Sequence, residues 1–257
     1  MARELEPYQN IERSIIKKFR KEIWRPFIEA VQRYELVNEG DKIAVCISGG
    51  KDSMLMAKLM QELQRHSKVK FELVFLVMDP GYNEINRQKI ESNAELLHIP
   101  ITVFETDVFA VANTSEKNPC YLCARMRRGY LYSKAQELGC NKIALGHHFD
   151  DAVETFMLNL LHEGRLGSFS PKTYLDRRDI TIIRPLIYAP EKDIRYFVSH
   201  NNLPLVETSC PEDGHTEREE VKKLISSLER KYNGVRHRIF GAMQKSGIDG
   251  YSPNCGK

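Results

Sequence analysis

Ser48-Gly49-Gly50-Lys51-Asp52-Ser53 combines the groups that a polyphosphate needs. The paired glycines let backbone N–H groups come close to an anion, and a helix starting there adds a favourable dipole. The hydroxyls of Ser48 and Ser53 and the ammonium of Lys51 can contact phosphate oxygens. Asp52 is a poor neighbour for phosphate unless a cation lies between them, and Mg²⁺ meets that need. The spacing matches neither the GxxxxGK pattern of nucleotide triphosphatases nor the GxGxxG pattern of dinucleotide sites.

A second constellation is Gly146-His147-His148-Phe149-Asp150-Asp151, running on into Ala152-Val153-Glu154-Thr155. Adjacent carboxylates at a helix start can hold Mg²⁺ or steer a proton, and imidazoles can hydrogen-bond phosphate or substrate. The same two aspartates could equally be helix caps.

A third set comes from the six cysteines, Cys46, Cys120, Cys123, Cys140, Cys210 and Cys255. Cys120-Tyr121-Leu122-Cys123 is a close pair ahead of Arg125, Arg127 and Arg128, and Cys210 is a distant third. Three chemistries fit. A zinc site needs four ligands, and His215 is the candidate fourth. Redox thiols could pass a persulfide. A 4Fe–4S cluster on three cysteines leaves one iron open. Cys46, inside a strand, and Cys140, at a helix end, read as packing residues.

These groups need a scaffold that gathers them. Short β-rich runs at 42–47, 71–78, 101–104, 142–145 and 180–186 alternate with helical patterns at 54–63, 83–97, 126–138 and 152–161. Such alternation predicts an α/β fold, a doubly wound parallel sheet wrapped on both faces. Ligands in these folds sit outside the carboxyl ends of the strands, where the first two motifs fall. Residues 9–36 carry apolar residues at helical spacing and predict helices broken near Pro26. The expected organisation is an N-terminal helical segment at 1–37, a catalytic domain at 38–215, and a C-terminal helical segment and tail at 216–257.

At 257 residues, with 42% hydrophobic and 28% charged residues, the composition is that of a soluble globular protein. No apolar run approaches the roughly 20 residues of a membrane helix, and the N-terminus lacks a signal-peptide pattern. A cytoplasmic location is expected, with no membrane partner. The net charge of +3 is modest, but the basic residues cluster. Lys17, Lys18, Arg20, Lys21 and Arg25 form one group; Arg230, Lys231, Arg236 and Arg238 form another. Such clusters can meet nucleic-acid phosphates.

The Ser48–Ser53 segment resembles the PP-loop, SGGxDS, of the ATP-pyrophosphatase superfamily, and residues 146–155 resemble the GHxxDD segment of its tRNA-modifying branch. With the cysteine pair, the basic helix and the third cysteine in that order, the chain resembles tRNA thiolation enzymes of the TtcA/TtuA type. The resemblance spans about residues 40–215. The TtuA-like branch carries zinc-finger cysteine pairs around its core. Here no cysteine precedes Cys46 and only Cys255 follows Cys210, so the chain is closer to the TtcA-like tRNA 2-thiocytidine synthetases. The segment after Cys210, Pro211-Glu212-Asp213-Gly214, departs from the pattern of that branch.

The resemblance implies an adenine nucleotide alpha hydrolase-like fold and a tRNA sulfurtransferase that converts ATP to AMP and pyrophosphate. Its implied cofactors are ATP, Mg²⁺ and a 4Fe–4S cluster held by Cys120, Cys123 and Cys210. ATP is expected on Ala44, Met78, Ser48, Gly49, Gly50, Lys51, Asp52, Ser53, Gly146 and His147. Lys51, Asp52, Asp151 as proton handler and Arg127 as adenylate contact are the expected catalytic residues. The implied partners are tRNA, a sulfur donor (a cysteine desulfurase or free sulfide) and a second copy of the chain. A lysidine synthetase-like ligase and a non-catalytic nucleotide or iron–sulfur sensor are the competing expectations.

Overall fold

A computed structural model of the chain describes residues 5–113, 119–203, 206 and 217–251. The main fold opens with β1 (Lys42–Ile47), α3 (Lys51–His66), β2 (Glu72–Asp79), α4 (Glu84–Leu96), β3 (Ile101–Glu105), α5 (Val108–Asn113) and α6 (Pro119–Glu137). It continues through β4 (Lys142–Ala144), α7 (Phe149–His162), β5 (Lys172–Leu175), β6 (Ile180–Ile183) and α8 (Glu191–His200). Ahead of it lie α1 (Pro7–Ile16) and α2 (Arg25–Arg33), and after it α9 (Glu217–Lys231) and α10 (Val235–Ser246).

The sheet runs in the order β3-β2-β1-β4-β6-β5. All pairs are parallel except β5 with β6, which is antiparallel. The expected parallel sheet therefore carries an additional edge strand, a hairpin turned through Asp176–Arg178 with Asp179 in the left-handed region at φ 47°. The buried run Ile43 to Ile47 explains why β1 sits centrally: strands covered on both faces are apolar throughout rather than alternating. Strand order reverses between β1 and β4, which makes the crevice at their carboxyl ends the expected ligand position.

The break in the N-terminal helices lies earlier than Pro26. Residues Arg20–Trp24 form a π-helical turn, and Pro26 sits in the first turn of α2, where its missing N–H costs nothing. The turn buries Phe19 and Ile23 while leaving Lys17, Lys18, Arg20, Lys21 and Arg25 exposed. One hydrophobic cluster runs through all three expected segments, from Ile15, Phe19 and Phe27 through β1 to Phe240, Met243 and Tyr251. Among the described residues, no helix is long and apolar enough to cross a membrane.

A buried ion pair ties α1 to the catalytic core. Lys58 on α3 is 1% exposed, donates to Glu12 at 2.6 Å and to the Leu97 carbonyl at 2.7 Å. Arg65 reaches the same Glu12 oxygen at 2.7 Å. Together these cations outweigh burial and hold the Glu12 carboxyl below its ordinary value. Removing one partner of such a pair leaves a charge without compensation, so Glu12→Ala is expected to cost about 3 kcal/mol. Chemical denaturation would read this as a lowered midpoint.

Candidate functional site

The PP-loop is built by the turn from β1 into α3. Gly49 has φ +81°, and a Cβ there would meet Val206 Cγ2 at 2.6 Å and Ile90 Cγ1 at 2.7 Å. Gly50 is the N-cap of α3, so the first N–H groups of that helix open toward the crevice. The Ser53 hydroxyl accepts from the Ser48 N–H at 3.1 Å and donates to the Gly50 carbonyl at 3.0 Å, which fixes the loop on itself. Gly146 at the end of β4 packs against this turn, where a Cβ would come within 3.1 Å of the Ser53 nitrogen. Gly49→Ala, strained in φ and crowded, is expected to abolish nucleotide binding and lower the melting temperature, readable by calorimetry with and without ATP.

The charges around the loop are interlocked. Lys51 Nζ lies 3.0 Å from Asp52 Oδ2 and 3.1 Å from Glu191 Oε1. Burial works against the Lys51 charge, but the two carboxylates outweigh it and raise its pKa. Glu191, at the start of α8, also meets Arg195 at 2.8 Å and Lys222 at 3.5 Å. Burial opposes its charge, yet Arg195, Lys51 and Lys222 pull its carboxyl down to about 2. The other Asp52 oxygen, Oδ1, is buried without a hydrogen-bond partner among the described residues; His148 Nε2 stands 3.7 Å away.

The second motif divides its two aspartates. His148 caps α7: its Nδ1 accepts from the Asp151 N–H at 3.3 Å, and Asp151 Oδ2 accepts from the His148 N–H at 2.9 Å. Asp150 accepts from the Glu191 N–H at 2.7 Å and lies 3.1 Å from Arg236 Nη1. Arg236 is thereby committed to the interior and not to an outer RNA surface. His147 is buried, with Nδ1 unpartnered among the described residues. Burial, then the nearby Arg184 charge, hold it to about 4, so the ring is neutral at physiological pH. Burial raises Glu154 to about 7 despite the Lys222 charge.

These elements enclose a cleft of about 640 Å³. Ser48, Gly50, Asp52 and Ser53 line one side, Gly146 and His147 another, and Arg127 and Arg128 of α6 face them. Met78 lies on its wall. Ala44 is fully buried, and Cys46, two residues on and on the same face of β1, reaches the cleft instead. Lys51 and Asp151 are not among the residues that line it; Lys51 pairs with the lining Asp52, and Asp151 with His148.

The PP-loop domain family model matches residues 12–228. A tRNA-cytidine(32) 2-sulfurtransferase of Syntrophotalea carbinolica is 37% identical over 220 residues, covering 84% of this chain and 85% of that protein. Its namesake from Pseudomonas fluorescens is 38% identical over 234 residues, covering 88% and 84%. The chain belongs to the PP-loop family of tRNA 2-sulfurtransferases. The U34-tRNA thiolase NcsA from Methanococcus maripaludis, solved with its 4Fe–4S cluster, shares the fold at a TM-score of 0.71 and 23% identity, over 86% of this chain and 77% of that one.

For a PP-loop enzyme the donor set is apt. The cleft offers backbone N–H groups and hydroxyls to phosphate, and the orphaned Asp52 oxygen suits a hard divalent cation. The cysteine pair lies differently from the expected knuckle ahead of a helix: Cys120 and Cys123 fall inside the first turns of α6. Cys123 is half-buried, and Tyr82 is within electrostatic reach of both it and Arg127. The Tyr82 hydroxyl in turn donates to the Ser48 carbonyl at 3.4 Å. Cys210, His215 and the side chain of Cys120 lie outside the described residues. Val206, four residues before Cys210, donates its N–H to the Gly49 carbonyl at 3.3 Å. Cys140 is packed in the core, while Cys46 combines core packing with its place on the cleft.

Glu191 was not legible as a site residue, and Glu154, though part of the second motif, was not legible as a buried one. For Glu191 a signal existed in Pro190-Glu191, an N-terminal pattern opening a helix; for Glu154 nothing in the spacing announces burial.

Proposed function

We propose that this chain is a cytoplasmic, ATP-dependent and iron–sulfur-dependent tRNA thiolase that exchanges the C2 oxygen of cytidine for sulfur. The observation that carries this reading is that Tyr82, within electrostatic reach of Cys123, donates to the Ser48 carbonyl while Val206 donates to the Gly49 carbonyl. From Val206 the chain can reach at most roughly 14 Å by Cys210, at about 3.5 Å per residue. That reach allows Cys210 to join Cys123, on α6 beside the cleft-lining Ala124 and Arg127, in one centre. Thiolates are the donors that iron–sulfur clusters take, and Cys120, Cys123 and Cys210 are the residues that would hold one. When bound, the cluster supplies an iron free of protein ligands, where sulfide can be held.

The protein's own groups do the rest. Ser48, Gly49, Gly50 and Ser53 hold the phosphates, while the apolar wall with Met78 and Leu131 takes the base. The C2 oxygen attacks the α-phosphorus, the bond to pyrophosphate breaks, and Lys51 stabilises the departing charge. Asp52 would hold Mg²⁺, which would neutralise charge developing on the phosphates. Sulfide then bonds to C2 and the C–O bond breaks, releasing AMP. Arg127 contacts the adenylate and Asp151 handles the proton. A cysteine desulfurase or free sulfide supplies the sulfur.

Lys17, Lys18, Arg20, Lys21 and Arg25 form an exposed basic face suited to the tRNA backbone. Reversing Lys17, Lys18 and Lys21 together is expected to weaken tRNA binding and flatten its salt dependence, with ATP affinity unchanged. The reading itself is tested anaerobically, with reconstituted protein, ATP, sulfide and tRNA. Nucleoside mass spectrometry should find 2-thiocytidine. Pyrophosphate release without any thiolated base would refute it.

A further inference from the structure

The PP-loop lysine does not bring an uncompensated charge to the nucleotide. Lys51 stands between Asp52 and Glu191, so its charge is already met by carboxylates before any ligand arrives. The cations that line the cleft are Arg127 and Arg128 from α6 and one residue outside the expected catalytic domain, Arg218.

Arg218 is carried into the cleft by the first turn of α9. That helix is anchored by Val221 and Ile225, both buried, and by Lys222 at 3.5 Å from Glu191. Its N-terminal turn therefore has a fixed position beside α7. The Arg218 guanidinium is only loosely held: one hydrogen bond to Thr155 Oγ1 at 3.0 Å, and charges at 3.7 Å from Asp151 and 3.9 Å from Glu154. Both ion-pair distances exceed a hydrogen bond. A guanidinium has five N–H donors, and the side chain is 44% exposed. Among the described residues most of its donors are uncommitted, and it lines the same cleft as Arg127 and Arg128.

We propose that Arg218 is a further nucleotide-contacting residue, donating to phosphate oxygens of ATP from the C-terminal helices. This rests on the nucleotide reading of the cleft. It means that α9, which directly follows the segment holding Cys210, is part of the ATP site. Leaving Asp151 for the phosphate also uncovers the carboxylate assigned to the proton.

The test measures binding of the non-cleavable analogue α,β-methylene-ATP, with Mg²⁺, to the full chain by calorimetry. Arg218→Ala is expected to weaken binding roughly tenfold, the value of one charge-assisted contact, and Arg218→Lys to restore part of it. Arg218→Gln keeps a donor for Thr155 and removes only the charge, so it should lose affinity at an unchanged melting temperature. In pyrophosphate assays KM for ATP should rise more than kcat falls. Arg218→Gln affinity within twofold of wild type, or a lowered melting temperature with binding intact, would overturn the proposal. If wild type binds no analogue, the nucleotide reading itself falls, and Arg218 with it.

Discussion

Asp52→Ala is expected to fold normally yet lose pyrophosphate release by roughly a thousandfold or more. Asp52 lies in the first turn of α3, where a carboxylate contributes only about 0.3–1 kcal/mol through the helix dipole. Its only described ion-pair partners are Lys51 and His148, and Lys51 keeps Glu191 when Asp52 is gone. Circular dichroism and the melting temperature should therefore change little. The catalytic loss is large because Asp52 Oδ1 is buried and has no hydrogen-bond donor among the described residues. A carboxylate oxygen in that state calls for a cation, and a cation beside the phosphates is what neutralises the leaving pyrophosphate. Asp52→Asn preserves shape and loses charge, so it should fail as well, and raising Mg²⁺ should not rescue either variant. Wild-type-like pyrophosphate release from a folded Asp52→Ala protein would refute this role.

Residue types announced the loop, but the division of labour around it was not legible. Ser48 to Ser53 could be read directly because paired glycines between a strand and a helix have few other uses, and the structure places them at the reversal of strand order. Strand and helix alternation likewise led to the sheet. The edge strand β5 escaped because Lys172–Leu175 is only four residues long and its register depends on β6, a contact remote from any local pattern. Asp150 and Asp151 look equivalent in sequence. Only the fold sends one to Arg236 and the Glu191 N–H and makes the other half of a capping box with His148. Glu191 and Arg218 join the site through tertiary packing of α8 and α9. No spacing rule links residue 51 to residue 191, so that pairing belongs to the folded state alone.

Substitution of any one of Cys120, Cys123 or Cys210 by alanine is expected to remove bound iron and thiolation together, while ATP binding survives. Cys123 sits on the same helix as Arg127, one turn away, and Arg127 lines the nucleotide cleft. The other approach comes through Val206, hydrogen-bonded to Gly49 and packed where a Gly49 Cβ would be. The two routes to the loop would let cysteines so far apart in sequence serve one centre. Anaerobically purified wild type should be brown and lose activity in air, because a corner iron without a protein thiolate is the labile one. Cys140→Ala should keep iron and activity, with a packing loss of about 1 kcal/mol. Cys46→Ala should also keep its iron. Burial and the neighbouring Cys140 push the Cys46 thiol up to about 12, so it is no thiolate at neutral pH and no competitor as a ligand. A zinc site predicts instead a colourless, air-stable enzyme with one bound zinc, and a thiol relay predicts a colourless enzyme active without metal. Iron analysis, visible absorption and nucleoside mass spectrometry on the same samples separate the three, and full thiolation by iron-free protein would exclude the cluster.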